Sequence, residues 1–293
     1  MAVPLSGAPA PDGLPAAPPT YDPALERLEA ELLVEAVYRH YGFDFRGYAY
    51  ASLRRRLWKR ARAEGLATLS ALQAAVLHDP PVLDRLLDDL SVNVTAMFRD
   101  PPFFAAFRRL VVPVLRTYPF VRIWHAGCAT GEEVYSMAIL LEEEGLYDRA
   151  RLYATDMNER VLRLARAGIF PLERMKEYTE NYLRAGGARE FSAYYTAGYD
   201  GARFSPALLR NVVFAQHNLA TDGPFAEFHA TLCRNVLIYF DKPLQARAHR
   251  LFHESLATFG VLALGMRETL RFSPLEDRYE ALSAPERLYR KVR

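Results

Sequence analysis

The chain has 293 residues, 51% hydrophobic and 25% charged, which is long enough to bury a core without disulfides or metals and too apolar for a largely disordered or fibrous protein. Lys and Arg number 37 against 35 Asp and Glu, a net charge of +2, so the whole-molecule balance gives no reason to expect nucleic acid as a partner. The two cysteines, Cys128 and Cys233, exclude a disulfide framework and a cysteine zinc site; no run approaches the roughly 18 to 20 apolar residues of a membrane span and no signal-peptide pattern opens the chain, so the expectation is a cytoplasmic protein with no direct membrane insertion.

Residues 1–23 form a Pro/Ala-rich run that cannot offset its ordering entropy by burial, and a disordered tail is expected. From Leu25 the pattern turns helical: Leu25, Leu28, Leu32, Ala36 and Val37 share one face, with Glu26, Arg27, Glu29 and Arg39 on the other. Further helices are expected at 50–64, 68–78 and 80–91, broken at Gly65 and at Asp79-Pro80-Pro81. Residues 24–92 thus read as an all-helical N-terminal domain and 93–293 as a second domain. There the rhythm becomes strand then helix, with strands at 121–127, 151–156, 212–218, 230–236 and 261–265 and helices at 132–144, 158–167 and 243–257. Such alternation specifies an α/β fold with a mostly parallel sheet covered by helices on both faces. It lapses over 172–210, where Gly186-Gly187, the turn 198–201 and the flanking Tyr194, Tyr195 and Phe204 fit a small inserted antiparallel hairpin. No internal repeat is evident.

Four stretches carry polar groups where chemistry belongs. The loop after the first strand, Gly127-Cys-Ala-Thr-Gly131, enters a helix that begins Glu132-Glu133. Glycines there admit close backbone approach of a ligand, while acids at the helix start disfavour a pyrophosphate and suit a cationic group. A plain turn with Thr130 as helix cap is the alternative. Asp156 ends the second strand, where a carboxylate can accept from a ribose diol or cap the next helix; beside the glycine loop the ribose role is the stronger reading. Arg234, Asn235 and Tyr239 follow the fourth strand at pocket height. Asn93, Thr95 and Arg99 precede a helix start at Asp100-Pro101 that does not by itself account for them.

On these residues the sequence resembles the CheR-type S-adenosylmethionine-dependent protein-glutamate O-methyltransferases of bacterial chemotaxis. The matching stretches are TAMFRDPPFF (95–104), IWHAGCATGEEVYSMAI (123–139), ATDMNERVLRLARAGIF (154–170), VVFAQHNL (212–219), CRNVLIYFD (233–241) and GVLALGMRETL (260–270). The resemblance implies an all-α domain followed by a Rossmann-like methyltransferase domain with a small inserted β-subdomain. It places S-adenosylmethionine, and the product S-adenosylhomocysteine, against Asn93, Thr95, Arg99, Glu133, Asp156, Asn218, Leu219, Arg234 and Asn235, with no metal. Arg99 suits the methionyl carboxylate, Glu133 the ammonium, and Asn218 with Leu219 the adenine edge. Tyr239 corresponds to the family's pocket tyrosine near the transferring methyl, with Arg116 as a second catalytic candidate. Met97, His125, His229 and Met266-Arg267 depart from the usual family residues, and the last two positions bear on the substrate side.

The implied activity is methylation of glutamates on the helical cytoplasmic domain of chemoreceptors or related signalling proteins. An acceptor carboxylate is ionised at neutral pH, so in-line transfer needs no general base; His125, His217 and His229 are then structural and Cys128 a packing residue. The alternatives are the same fold acting on another target, which Arg267 motivates, and a cofactor-binding adaptor without turnover. Over 46–62 the chain carries Arg46, Arg54, Arg55, Arg56, Lys59, Arg60 and Arg62 with no acid, so the remainder is net acidic. Arg54, Arg55, Lys59 and Arg62 are expected to dock an acidic receptor helix, a solvated helix face being the alternative.

Overall fold

A computed structural model describes residues 22–91, 94–271 and 273–293; residues 1–21 of the expected tail and Asn93 lie outside the described residues. Helix α1 (Pro23–Tyr41) starts where the Asp22 side chain accepts from the Ala24 and Leu25 amides, and stops at Gly42 in the left-handed region. Helices α2 (Tyr50–Ala63), α3 (Leu69–His78) and α4 (Pro80–Leu90) complete the bundle, close to the expected bounds. Its core joins Leu33, Val37, Phe45, Leu57, Leu72 and Leu86. The buried face of α1 is not the expected one. Leu25, Leu28 and Leu32 stay 53%, 51% and 49% exposed, and Glu26, Ala30, Leu33 and Val34 turn inward. Glu26 is drawn in because it accepts from Arg54 and from the Trp58 indole (2.9 Å) of α2.

The second domain opens with α5 (Pro101–Ala106), one π-turn at Phe107–Val111 and α6 (Val112–Leu115). Strands β1 (Val121–Ala126) and β2 (Ala150–Asp156) flank α7 (Glu132–Glu143), and α8 (Glu159–Ala167) follows β2. Next come β3 (Ile169–Phe170), α9 (Met175–Arg184), β4 (Tyr195–Gly198) and β5 (Gly201–Phe204). The chain then runs through β6 (Val212–Gln216), β7 (Phe228–Cys233), α10 (Lys242–Ser255), β8 (Leu256–Leu264), β9 (Tyr279–Ser283) and β10 (Leu288–Lys291). The main sheet has the order β6-β2-β1-β7-β8-β10-β9. Strands β6, β2, β1, β7 and β8 are parallel, and β10 is antiparallel to both its neighbours. Because β1 lies between β2 and β7, the chain leaves neighbouring strands in opposite directions, and this opens a crevice at their carboxyl ends.

The insertion is larger than the expected hairpin. Strands β4 and β5 form it, but β3 adds a third antiparallel strand, and α9 packs Met175, Tyr178 and Tyr182 inward. The two domains are joined by paired backbone bonds, the Ala49 amide donating to the Tyr239 carbonyl and the Asp241 amide to the Gly47 carbonyl, both at 2.8 Å, with a bridge between Tyr48 and Phe240, and Arg160 of the second domain pairs with Asp88 of the first. No helix among the described residues is long and apolar enough to cross a membrane.

Candidate active site

The crevice holds two adjoining chambers that share Gly127, Ala129, Asn235 and Val236 in their walls. Asp156, Asn218, Leu219 and Tyr239 line the first, and Thr95, Arg99, Glu133 and Arg234 line the second. Among the described residues, the cofactor-binding and catalytic candidates therefore converge on one cleft, apart from Arg116.

The loop between β1 and α7 is held down by its neighbours. The Gly127 and Cys128 amides donate to the Thr155 carbonyl at 2.8 and 2.9 Å. Gly127 has φ +75°, and a Cβ there would lie 2.7 Å from Val236 Cγ2, so only glycine leaves this wall open. Ala129 is left-handed without being glycine (φ 47°), and its amide donates to Asp156 Oδ2 at 3.0 Å, while Oδ1 accepts from Asn158 at 3.0 Å. Burial pushes the Asp156 carboxyl upward against these amide bonds. The cap of α8 is Asn158 rather than Asp156, and Gly131 occupies the cap of α7 while Thr130 donates to Glu132 Oε2 at 2.7 Å.

In the second chamber Glu133 accepts from Arg234 at 3.0 Å and pairs with His125 Nδ1 at 2.9 Å. Burial works to raise the Glu133 carboxyl, and His125 with Arg234 outweigh it, so the group sits below its ordinary range. Arg234 is buried, with its guanidinium 3.9 Å from the Phe103 ring centroid and donating to Asp100 (2.8 Å) and the Arg99 carbonyl (3.1 Å). It braces the chamber wall. Arg99 donates to the Val94 carbonyl at 2.7 Å, lines the chamber and has no other side-chain partner among the described residues.

Two supports went unassigned in the sequence reading. Buried Glu268 accepts from the amides of Gly265 (2.6 Å), Leu237 (2.7 Å), Val236 (2.8 Å) and Asn235 (3.1 Å), which fixes Asn235 in its left-handed turn (φ 63°). The other is Arg56 of α2. It is buried, stacks 4.5 Å from the Tyr239 ring centroid and reaches the Leu90 carbonyl at 3.5 Å. Its Nη2 has no partner among the described residues, and burial lowers its pKa.

Arg116 does not join the cleft. Its guanidinium donates to the Glu144 carboxylate at 2.7 Å, at the end of α6, and the position near Tyr239 belongs to Arg56. His229 also stands apart: at the start of β7, away from the cleft end, its Nδ1 accepts from the Arg122 amide at 2.9 Å. His125 and His217 are buried and bonded, the latter to the Gly223 carbonyl at 3.1 Å. Cys128 and Cys233 are buried free thiols. Among the expected docking cations, Arg54 pairs with Glu26 and Lys59 with Asp89 (2.7 Å), which leaves Arg55 and Arg62 as the exposed members without an ion pair among the described residues.

A nucleoside-bearing sulfonium ligand fits this donor set: a glycine wall that a Cβ would fill, a carboxylate at the end of β2, and an arginine with spare donors beside a glutamate. With the strand order and the single reversed strand, this defines a Rossmann-like methyltransferase domain preceded by an all-α domain. The CheR methyltransferase SAM binding domain matches residues 93–287, and the CheR methyltransferase all-alpha domain matches residues 28–91. The chain belongs to the CheR methyltransferase family. It is 52% identical to the protein named Cher3 of Pseudomonas putida, over 90% of this chain and 97% of that one. It is 34% identical to chemotaxis protein methyltransferase 2 of Pseudomonas aeruginosa, over 73% of this chain and 76% of that protein. The chemotaxis protein methyltransferase of Salmonella typhimurium is 31% identical, over 84% and 85%.

Proposed function

We propose that the protein methylates glutamate side chains on the helical cytoplasmic domain of chemoreceptors or receptor-like signalling proteins. S-adenosylmethionine supplies an electrophilic methyl carbon on a sulfonium. The observation that carries the acceptor assignment is Arg56: its buried guanidinium has no acid beside it among the described residues, which is costly, and it borders the cleft through Tyr239 and Leu90. An anionic acceptor entering beside Tyr239 would give it the partner it lacks.

Asp156 would accept from the ribose hydroxyls, Asn218 and Leu219 would hold the adenine edge, and Thr95 and Asn235 would line the path between. Arg99 would bind the methionyl carboxylate. Glu133, with one hydrogen bond on each oxygen, keeps further lone pairs for the ammonium. Asn93 is assigned to the same site by its place in the motif. A glutamate has an ordinary pKa of about 4.3 and arrives ionised at neutral pH, so no residue has to remove a proton. Arg56 and Tyr239 would hold the acceptor oxygen in line, and positioning of this sort can supply roughly 7 to 11 kcal/mol. Charge is neutralised along the reaction, so the apolar faces of Leu90, Val236 and Tyr239 help by excluding water. Arg55 and Arg62 would steer the acidic receptor helix toward the cleft.

The test is transfer of labelled methyl to a receptor cytoplasmic fragment, read as base-labile label released as methanol. Label on that fragment supports the reading. Cofactor binding without label on any receptor fragment overturns the acceptor assignment.

A further inference from the structure

Residues 94–100 carry Thr95 and Arg99 into the cleft without belonging to any helix or strand. Two of them, Phe98 (φ 49°) and Asp100 (φ 58°), are left-handed although neither is glycine. Such conformations persist only where the surroundings over-determine them. Much of that surrounding comes from the inserted subdomain. Arg174, at the entrance to α9, donates to the Thr95 carbonyl at 3.3 Å, and Asn181 of α9 donates to the Met97 carbonyl at 3.2 Å. The Phe98 ring lies 5.2 and 6.3 Å from the ring centroids of Tyr182 and Phe191, both in the insertion, and 5.0 Å from that of Phe104. Arg174, Tyr178, Asn181 and Tyr182 follow helical spacing and so share one face. On that face Tyr178 also donates to Glu132 Oε1 at 3.4 Å, and Glu132 accepts from Thr130 of the glycine loop. One helix face thus grips both cofactor loops.

We propose that α9 is a positioning element for the methyl donor, with Asn181 and Arg174 as its positioning residues. By holding the Met97 and Thr95 carbonyls they fix the path of residues 95–99, and so the direction in which Arg99 presents its guanidinium. The inserted subdomain then acts as a brace behind the donor site as well as an appendage to it. This inference rests on the donor assignment made above for Thr95 and Arg99.

The experiment uses the full-length protein and S-adenosylhomocysteine as probe, measured by calorimetry beside thermal unfolding. Asn181→Asp keeps the volume but turns a donor into an acceptor facing a carbonyl. It should weaken binding by about tenfold, the scale of one hydrogen bond lost and one repulsion gained. It should also raise the donor KM with kcat at saturating donor within about twofold, while unfolding stays near that of Lys176→Ala, an exposed change on the same helix. Arg174→Met, which removes the bond to Thr95, should act in the same direction and serves if the Asn181 variant does not fold. Wild-type affinity in both variants, or a fall in unfolding temperature with affinity unchanged, overturns the inference and reduces α9 to a fastening. Loss of binding in Arg99→Ala with wild-type binding in both α9 variants overturns it while leaving the donor assignment intact. If Arg99→Ala binds as the wild type does, the donor assignment itself falls, and the inference with it.

Discussion

The guanidinium of Arg56 and the ring of Tyr239 are stacked at 4.5 Å although one belongs to the helical domain and the other follows the fourth parallel strand. The contact sets a buried cation from the first domain against Tyr239, in the wall of a cleft that residues of both domains line. Arg56→Met keeps the bulk and removes the charge. It should leave S-adenosylhomocysteine affinity within about twofold and lower kcat/KM for the acceptor by at least about tenfold, the equivalent of one charged hydrogen bond. Tyr239→Phe should keep the stack and most of the affinity. Arg116→Ala should leave both parameters unchanged, because that side chain serves Glu144. Calorimetry with steady-state kinetics on one receptor fragment checks all three.

Glu268 is a buried acceptor for the amides around Asn235. Glu268→Gln would turn an amide donor toward those backbone donors, and it should cost about 2 to 4 kcal/mol of stability. Because Asn235 loses its fixed left-handed turn, cofactor affinity should fall as well. Denaturant unfolding and calorimetry on the same sample read the two effects, and a variant as stable as the wild type would remove Glu268 from this role.

The basic segment divides into two groups with opposite expectations. Arg55→Glu with Arg62→Glu should raise the acceptor KM several-fold and flatten its salt dependence while stability is kept, since rim charges act on association. Lys59→Glu would instead face Asp89 and should lower stability in addition. Kinetics at two ionic strengths beside thermal unfolding separate them.

The helical domain should be acid-labile. Hydrogen bonds from Arg85 and Arg60 hold Glu64 down to about 2, against an ordinary value of 4.5, and Glu26 is lowered by Arg54 and Trp58 over the opposing effect of burial. A carboxyl whose folded pKa is depressed contributes stability above its unfolded value and loses it as pH falls toward the folded one. The stability that Glu64 contributes should therefore decline from about pH 4.5 to about pH 2. Glu64→Gln should flatten that limb in denaturant titrations, and equal slopes would refute the assignment.

The parallel strands and their helices were legible because short, largely apolar segments at 121–127, 151–156, 212–218 and 230–236 alternate with amphipathic segments at helical period. The glycine loop and Asp156 were legible because strand ends are where ligands sit. Other features were hidden for identifiable reasons. The inward face of α9 is largely tyrosine, which reads as hairpin material, and strands β9 and β10 are short. The inward turn of α1 depends on Glu26 finding Arg54 and Trp58 on another helix, and periodicity is blind to such pairing. Arg56 looked like one more member of a cationic run because nothing local marks it as buried, and only the packing of α2 against Tyr239 separates it from Arg55. Arg116 was misplaced for the converse reason, since no motif fixes the register between Phe104 and Ile123.

The paired backbone bonds from Ala49 to Tyr239 and from Asp241 to Gly47 bear on how this chain can be recombined. A chimaera joined at the natural-looking boundary near residue 92 would bring a foreign Gly47–Ala49 turn against the Tyr239 segment, where an added Cβ at position 47 meets Leu244 at 2.9 Å. Exchange of helical domains among relatives should succeed only when the 46–50 and 237–244 segments travel together as a matched pair.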